Sequence, residues 1–444
     1  MISYIADFTD AARDARHPAA SDTTDLMSVL ACAPSARGEG LDKLLRIFDE
    51  ASAGAFETAS GGNLAYVPSG GLFSAALGEF LARATNRYTM LSSFAPALIA
   101  MEEGILRWMA ELFGLPSTGS GLFVSGTSVA TLTALAAARY DRLGLHSAQG
   151  TIYVAEHTHY CVRKAAQIAG IARENVRTVP TGADFTMDTS RAEEMIKSDL
   201  DRGLQPMALV GTAGSTDTGS VDDLHALADL AARYRLWFHV DAAYGGFFQL
   251  TDRGKKKLAG IEHADSICAD PHKGLFQPCG TGVLLVRDPE ILRRTFSMQG
   301  DYLVDAADER PLPDYADHGV ELTREFRGLR MWLPLNLHGT LAFAQELDEK
   351  LDLAQHAYRS LAAVKTIDVL SEPDLSVVAF RLRGASDQVN QKFLKEMNGT
   401  GPFALSGTTL GGVHYIRMCI LSHRTHFDEV DEAVRVITEV SGRV

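Results

Sequence analysis

Cysteine is scarce in this chain: five in 444 residues, at Cys32, Cys161, Cys268, Cys279 and Cys419. The number is odd and no two have the close spacing of a zinc or redox motif. That excludes a disulfide scaffold and leaves reduced, mostly buried thiols as the expectation. Basic residues are also short, 42 Lys and Arg against 56 Asp and Glu, for a formal charge of −14. This balance argues against nucleic acid or an anionic membrane as a partner, because both attract basic surfaces. The run Lys255-Lys256-Lys257 reads as a solvated loop. No apolar run approaches the roughly 20 residues of a membrane-spanning helix, and the opening Met1-Ile2-Ser3-Tyr4-Ile5-Ala6-Asp7 lacks the basic patch and apolar core of a secretory signal. A soluble, cytoplasmic protein is expected. Gly-x-Gly-x-x-Gly and Walker-type Gly-Lys-Ser/Thr motifs are missing too, which removes the commonest nucleotide sites.

What is present is enough apolar sequence, 46% of residues, to bury a large core. At roughly 150 residues per domain, two or three units are expected. The first forty residues, rich in Ala, Asp, Ser and Arg, read as a weakly ordered arm, followed by helical spacing from Leu41 to Phe56 and from Phe73 to Leu112. The rhythm then changes. Short apolar runs at Leu122–Val124, Thr151–Ala155, Val176–Val179, Met207–Gly211, Leu236–Val240, Ser266–Ala269 and Gly282–Val286 are mostly separated by amphipathic stretches. Strands alternating with helices predict an α/β fold with a mostly parallel sheet covered on both faces. Ligands on such sheets bind beyond the carboxyl ends of the strands. The polar Asp305–Asp317 segment reads as a mobile loop. A long helix through Leu335–Leu353 then leads to a small α+β unit with strands Val377–Arg381 and Tyr415–Ile420 and a terminal helix from Asp428.

Five segments at predicted strand ends carry the candidate chemistry. In His239-Val240-Asp241-Ala242-Ala243-Tyr244, a carboxylate ends a buried strand and is costly there unless a cation or donor meets it. In Asp270-Pro271-His272-Lys273-Gly274 an ammonium occupies the same kind of place, which lysines avoid unless paired or chemically used. The two lie 273 − 241 = 32 residues apart, the span of one strand, a connection and the next strand. Pyridoxal 5′-phosphate needs this pair: an amine to condense with its aldehyde, and a carboxylate to keep its ring nitrogen protonated. Ala243 would bring a small side chain under the ring, and His272 is placed for the phosphate. Gly126-Thr127-Ser128, where a strand turns into a helix, offers N–H groups and hydroxyls to a phosphate. The same residues nearly match a serine-hydrolase elbow centred on Ser128, with Ala130 for the final Gly. His157 and His159 have no third ligand recognisably grouped with them, so no metal is expected; His159 is better used stacked on a cofactor ring. Gly211 to Gly219, containing Thr216, is rich in small hydroxyl residues and reads on its own as a turn.

In this order the five segments resemble the group II pyridoxal-phosphate-dependent decarboxylases, the fold-type-I family of aromatic amino-acid, histidine and glutamate decarboxylases. The resemblance runs from Ala65-Tyr66-Val67-Pro68 to the C-terminal helix. It implies a seven-stranded, mostly parallel large domain (63–330) with a mobile catalytic loop (301–320), an N-terminal arm (1–62) and a small α+β domain (331–444). It implies Lys273 as the cofactor lysine, Asp241 at the ring nitrogen, His159 stacked on the ring, Thr216 near its phenolic oxygen, and Thr127, Ser128 and His272 at the phosphate. Tyr315 matches the loop tyrosine that returns a proton to Cα, and its retention with His159 favours simple decarboxylation of an L-amino acid to an amine over aldehyde formation. A homodimer with the active site at the subunit interface is also implied. Departures are Gly274 where Trp is usual, Asp270 where Asn is usual, Val67 where an aromatic residue is common, and a shorter arm. Arg417 and Arg424 have the charge to meet a substrate carboxylate, but salt bridges of the small domain are the expectation for both. The rival readings are an aldehyde synthase or carbon–carbon lyase on the same fold, a hydrolase using Ser128, and a cofactor-binding protein without turnover.

Overall fold

The computed structural model describes residues 2–15, 24–34, 36–67, 70–144, 149–298, 312–400 and 402–443. Each of the seven apolar runs becomes a strand: β1 (Ser120–Val124), β2 (Gly150–Ala155), β3 (Val176–Val179), β4 (Gln205–Thr212), β5 (Trp237–Asp241), β6 (Ser266–Ala269) and β7 (Gly282–Val286). They form one sheet in the order β1-β7-β6-β5-β4-β2-β3. All neighbours are parallel except β7, which runs against both β1 and β6. No sheet-spanning helix connects β6 to β7, and a parallel return would need one. Strands β1, β2, β5, β6 and β7 are buried along their whole length. That is why they read as continuous apolar runs rather than alternating ones. The helix Thr127–Leu143 packs across β4 to β7, and helices Pro96–Leu112 and Leu224–Tyr234 cover β1 and β4–β5.

The second unit is an antiparallel sheet of β8 (Ile367–Val369), β9 (Val377–Leu382), β10 (Ser406–Leu410) and β11 (Val413–Cys419), ordered β10-β11-β9-β8. Helices Thr340–Ala362, Asp387–Thr400 and Phe427–Ser441 accompany it, with a core of its own that includes Leu353, Phe380, Met418 and Ile437. The expected long helix is two helices, Gly328–His338 and Thr340–Ala362, parted at Gly339, whose φ of 76° breaks the helical run. Leu64 is buried in this second core, and Asn63 pairs with Ala404. The chain therefore begins its course on the small unit before entering the large one.

The N-terminal arm is more regular than its composition suggests. It forms helices Ile2–Ala11 and Thr24–Leu30, and Arg13 pairs with Asp428 at 2.7 Å and Glu429 at 3.0 Å on the terminal helix. Of the expected loop 301–320, residues 301–311 lie outside the described residues.

Candidate active site

The carboxyl ends of β1, β2, β4, β5 and β6 converge on one edge of the large sheet, and the five sequence segments sit there. Asp241 ends β5 and pairs in register with Cys268 of β6. Lys273 follows two residues into the helical turn Pro271–Gly274 that leaves β6. The 32-residue spacing is thus one strand, its connection and the neighbouring parallel strand, as expected.

Asp241 is 5% exposed. Its Oδ1 accepts the Ala243 N–H at 3.1 Å and faces the Cys268 thiol at 3.7 Å. Among the described residues both bonds converge on Oδ1, which leaves Oδ2 to meet a protonated ring nitrogen. A buried carboxylate with one oxygen uncommitted fits pyridoxal phosphate. His159 caps the helix Tyr160–Ile168, its Nδ1 accepting the Cys161 N–H at 3.3 Å. Burial pushes its pKa below the ordinary value, against the pull of Asp241. A neutral, half-buried imidazole can lie against a protonated ring without charge repulsion.

The candidate phosphate end is built from β1 and β6 together. Asp270 accepts Thr127 N–H at 2.8 Å and the Thr127 hydroxyl at 3.1 Å, and lies 3.1 Å from Lys273 Nζ. His272 donates Nδ1–H to the Thr281 carbonyl at 2.7 Å, while its Nε2 stands 3.7 Å from Asp270. Two glycines make this closeness possible. A Cβ on Gly282 would come within 2.5 Å of Gly126 Cα, so β7 can pass the phosphate turn only without a side chain. A Cβ on Gly274 would lie 2.8 Å from Phe247 Cβ, which accounts for glycine beside the lysine. The Ser128 hydroxyl faces the Cys161 thiol, and among the described residues no histidine bonds it, so the hydrolase arrangement is not seen there. Cys161, Cys268 and Cys419 are buried and disulfide-free, as expected; burial pushes the Cys161 thiol up to about 12, beyond nucleophilic use at neutral pH.

Thr216 stands in the turn after β4, held by the small unit: its carbonyl accepts from Arg417, and Asp217 accepts from Thr408 at 2.7 Å. Arg417 and Arg424 do not form the carboxylate bridges expected of them. Arg417 bonds the Thr216 carbonyl and Ser406 Oγ, and Arg424 bonds the carbonyls of Ala59 and Gly70.

Tyr315, expected in the loop that returns a proton to Cα, is packed into the body of its own chain. It is 1% exposed, in a 3₁₀ turn, with its hydroxyl 3.2 Å from Glu103 and the Arg324 guanidinium 4.5 Å over its ring. The same Glu103 oxygen accepts from Ser120, which opens β1 at the end opposite Thr127. Cys268 went unnoticed as a partner of Asp241 because only the strand register brings them together.

The family model described as the pyridoxal-dependent decarboxylase conserved domain matches residues 44–383. An aromatic-L-amino-acid decarboxylase of Bacillus atrophaeus is 31% identical over 389 residues, covering 86% of this chain and 81% of that protein. The solved structure of the Oryza sativa protein TDC with pyridoxal phosphate and tryptamine superimposes with a TM-score of 0.93 at 27% identity, over 100% of this chain and 96% of the other. A 4-hydroxyphenylacetaldehyde synthase from Rhodiola rosea gives a TM-score of 0.91 at 25% identity, with the same coverage.

Proposed function

The chain belongs to the pyridoxal-dependent decarboxylase family and converts an L-amino acid to its amine and CO2 with pyridoxal phosphate, and from this we propose which residues do the work. The observation that carries the assignment is Lys273 and Asp241 on neighbouring parallel strand ends, both within electrostatic reach of a neutral His159. When bound, the cofactor supplies the electron sink for the Cα–carboxylate bonding pair. Lys273 Nζ anchors it. Asp241 Oδ2 holds a proton on the ring nitrogen, with Oδ1 kept in place by Ala243 and Cys268. His159 covers one ring face and Ala243 the other, and both exclude water. Thr127, Ser128, the Gly126 turn and His272 take the phosphate, and Thr216 lies beside the phenolic oxygen. Within its own chain the Tyr315 hydroxyl is engaged by Glu103, and on that ground we give it no part in returning the proton to Cα. Tyr315 therefore carries no weight in choosing between amine and aldehyde.

The aromatic decarboxylase among the relatives makes tryptophan, tyrosine and phenylalanine the first substrates to assay. The proposal extends to a homodimer with its active site at the interface, in the cytoplasm, and to arm, large and small domains at 1–62, 63–330 and 331–444. Among the described residues no helix is long and apolar enough to cross a membrane.

The test is an absorption spectrum of the purified protein and of Lys273→Ala, followed by product analysis. Wild type should absorb near ~420 nm, as expected of a lysine-linked cofactor, and release CO2 and amine. Lys273→Ala should lose both the band and turnover. A colourless wild type that stays so with added cofactor, or a Lys273→Ala that keeps the band, overturns the lysine assignment. Aldehyde with peroxide would instead favour the synthase reading.

A further inference from the structure

Asp270 is 3% exposed and touches nearly everything gathered for the cofactor's phosphate and its attachment. Oδ1 accepts Thr127 N–H at 2.8 Å; Oδ2 accepts the Thr127 hydroxyl and lies 3.1 Å from Lys273 Nζ and 3.7 Å from His272 Nε2. The groups facing it from other elements bring little positive charge. Asp241 of β5 is a second buried carboxylate, His159 is held neutral, and the Cys161 and Cys268 thiols stay protonated. The cations in reach are Lys273 and, when protonated, His272.

An N–H at the start of a 17-residue helix, with a hydroxyl beside it, is the donor set a phosphate uses. Here a carboxylate is bonded to those donors and to the lysine that attaches the cofactor. Two anions sharing one donor set in a water-poor site repel each other far more than they would in solution. We infer that Asp270 sets the affinity for the cofactor: it braces Thr127 and Lys273, and in doing so holds a negative charge against the phosphate, so the protein binds pyridoxal phosphate more weakly than its remaining contacts allow. The inference rests on the cofactor assignment above and concerns binding, not the chemical step. Asp270 is a positioning residue on this reading.

Asp270→Asn keeps an acceptor for the Thr127 N–H and removes the charge. Equilibrium binding measured by quenching of protein fluorescence should give a dissociation constant for pyridoxal phosphate lower by on the order of tenfold. Asp270→Ser, uncharged and smaller, should shift it the same way. The gain should persist in a Lys273→Ala background, where no covalent attachment forms, and should vanish for pyridoxal, which has no phosphate. The melting temperature without added cofactor should fall, because the carboxylate no longer braces Thr127 and Lys273. An unchanged or raised dissociation constant in both variants, or an equal gain for pyridoxal, overturns the inference. A wild type that binds no cofactor overturns the cofactor assignment along with it, whereas wild-type binding with unaltered variants overturns this inference alone.

Discussion

At Tyr315 the hydroxyl sits among Glu103, Glu102 and Arg324, and burial with the two neighbouring carboxylates drives its pKa well above the usual phenol range. A phenol so held keeps its proton, and the ring is fixed by the guanidinium above it. Tyr315→Phe should therefore leave the identity of the product and the cofactor spectrum unchanged. It should lower unfolding free energy by about 1 kcal/mol for the lost hydrogen bond, read by urea denaturation. A variant that retains full stability but yields aldehyde, or stalls after cofactor binding, would return the residue to the chemistry. The contrast with Asp241 is instructive. Both are buried polar side chains, but Asp241 closes an apolar strand at the edge where ligands bind, and Tyr315, in a polar stretch, packs near the opposite end of β1.

At the scale of elements, the helix Leu41–Ala53 is the conspicuous case. Its apolar residues Leu41, Leu44 and Phe48 lie on an amphipathic helix, yet none of its residues is buried. The neighbouring helix Phe73–Thr85 also exposes Phe73, Leu77, Leu81 and Phe80, the last at 70%. Apolar patches of this extent are characteristic of protein–protein contact surfaces. A second copy of the chain is the proposed cover. Light scattering behind size-exclusion chromatography should report about twice the 48.0 kDa chain mass. The double substitution Leu44→Glu with Phe80→Glu should shift it toward the monomer, since burying two new carboxylates costs several kcal/mol. A monomeric wild type would remove the dimer and the interface site together. Other elements were hidden or visible for local reasons. β10 escaped the sequence reading because its Ser406-Gly407-Thr408-Thr409-Leu410 is polar, although Gly411-Gly412, both at positive φ, mark the hairpin that pairs it with β11. Five of the seven large-sheet strands were readable because full burial demands unbroken apolar runs.

Across the whole molecule, buried imidazoles couple stability to pH. Burial pushes His239 and His318 down to about 4 and His423 to about 3. Unfolding returns each to about 6.5, so the unfolded chain binds more protons between those values. Their contribution is fully present above pH 6.5 and is lost as pH falls through the folded values, at up to roughly 3 kcal/mol each. Asp222 acts in the opposite sense: burial raises it to about 6, so its ionisation costs stability as pH rises from about 4 to 6. Three imidazoles outweigh one carboxyl, and the urea unfolding free energy should fall between pH 6.5 and 4. His318→Gln should lose less than wild type over that interval; an equal loss would assign the effect to other groups.

The sequence by itself determined the seven strands of the large sheet and the carboxyl-edge location of the polar segments that end them. These depend on local matters: which runs must be buried, and which polar residues stand where a buried run stops. It also held the alternatives for Ser128 open, because a hydroxyl's neighbours in space are not written in its flanks. Only the tertiary structure decided that Tyr315 belongs to the core, that Cys268 faces Asp241, that Arg417 reaches the Thr216 turn, and that Asp270 stands on the terminus of the helix that Thr127 opens. Each of these depends on contacts between segments distant in the chain, Tyr315 with Glu103 and Asp270 with Thr127 among them. Such contacts follow from strand order and register, which the competition of many weak packing terms settles together and no single stretch of sequence encodes.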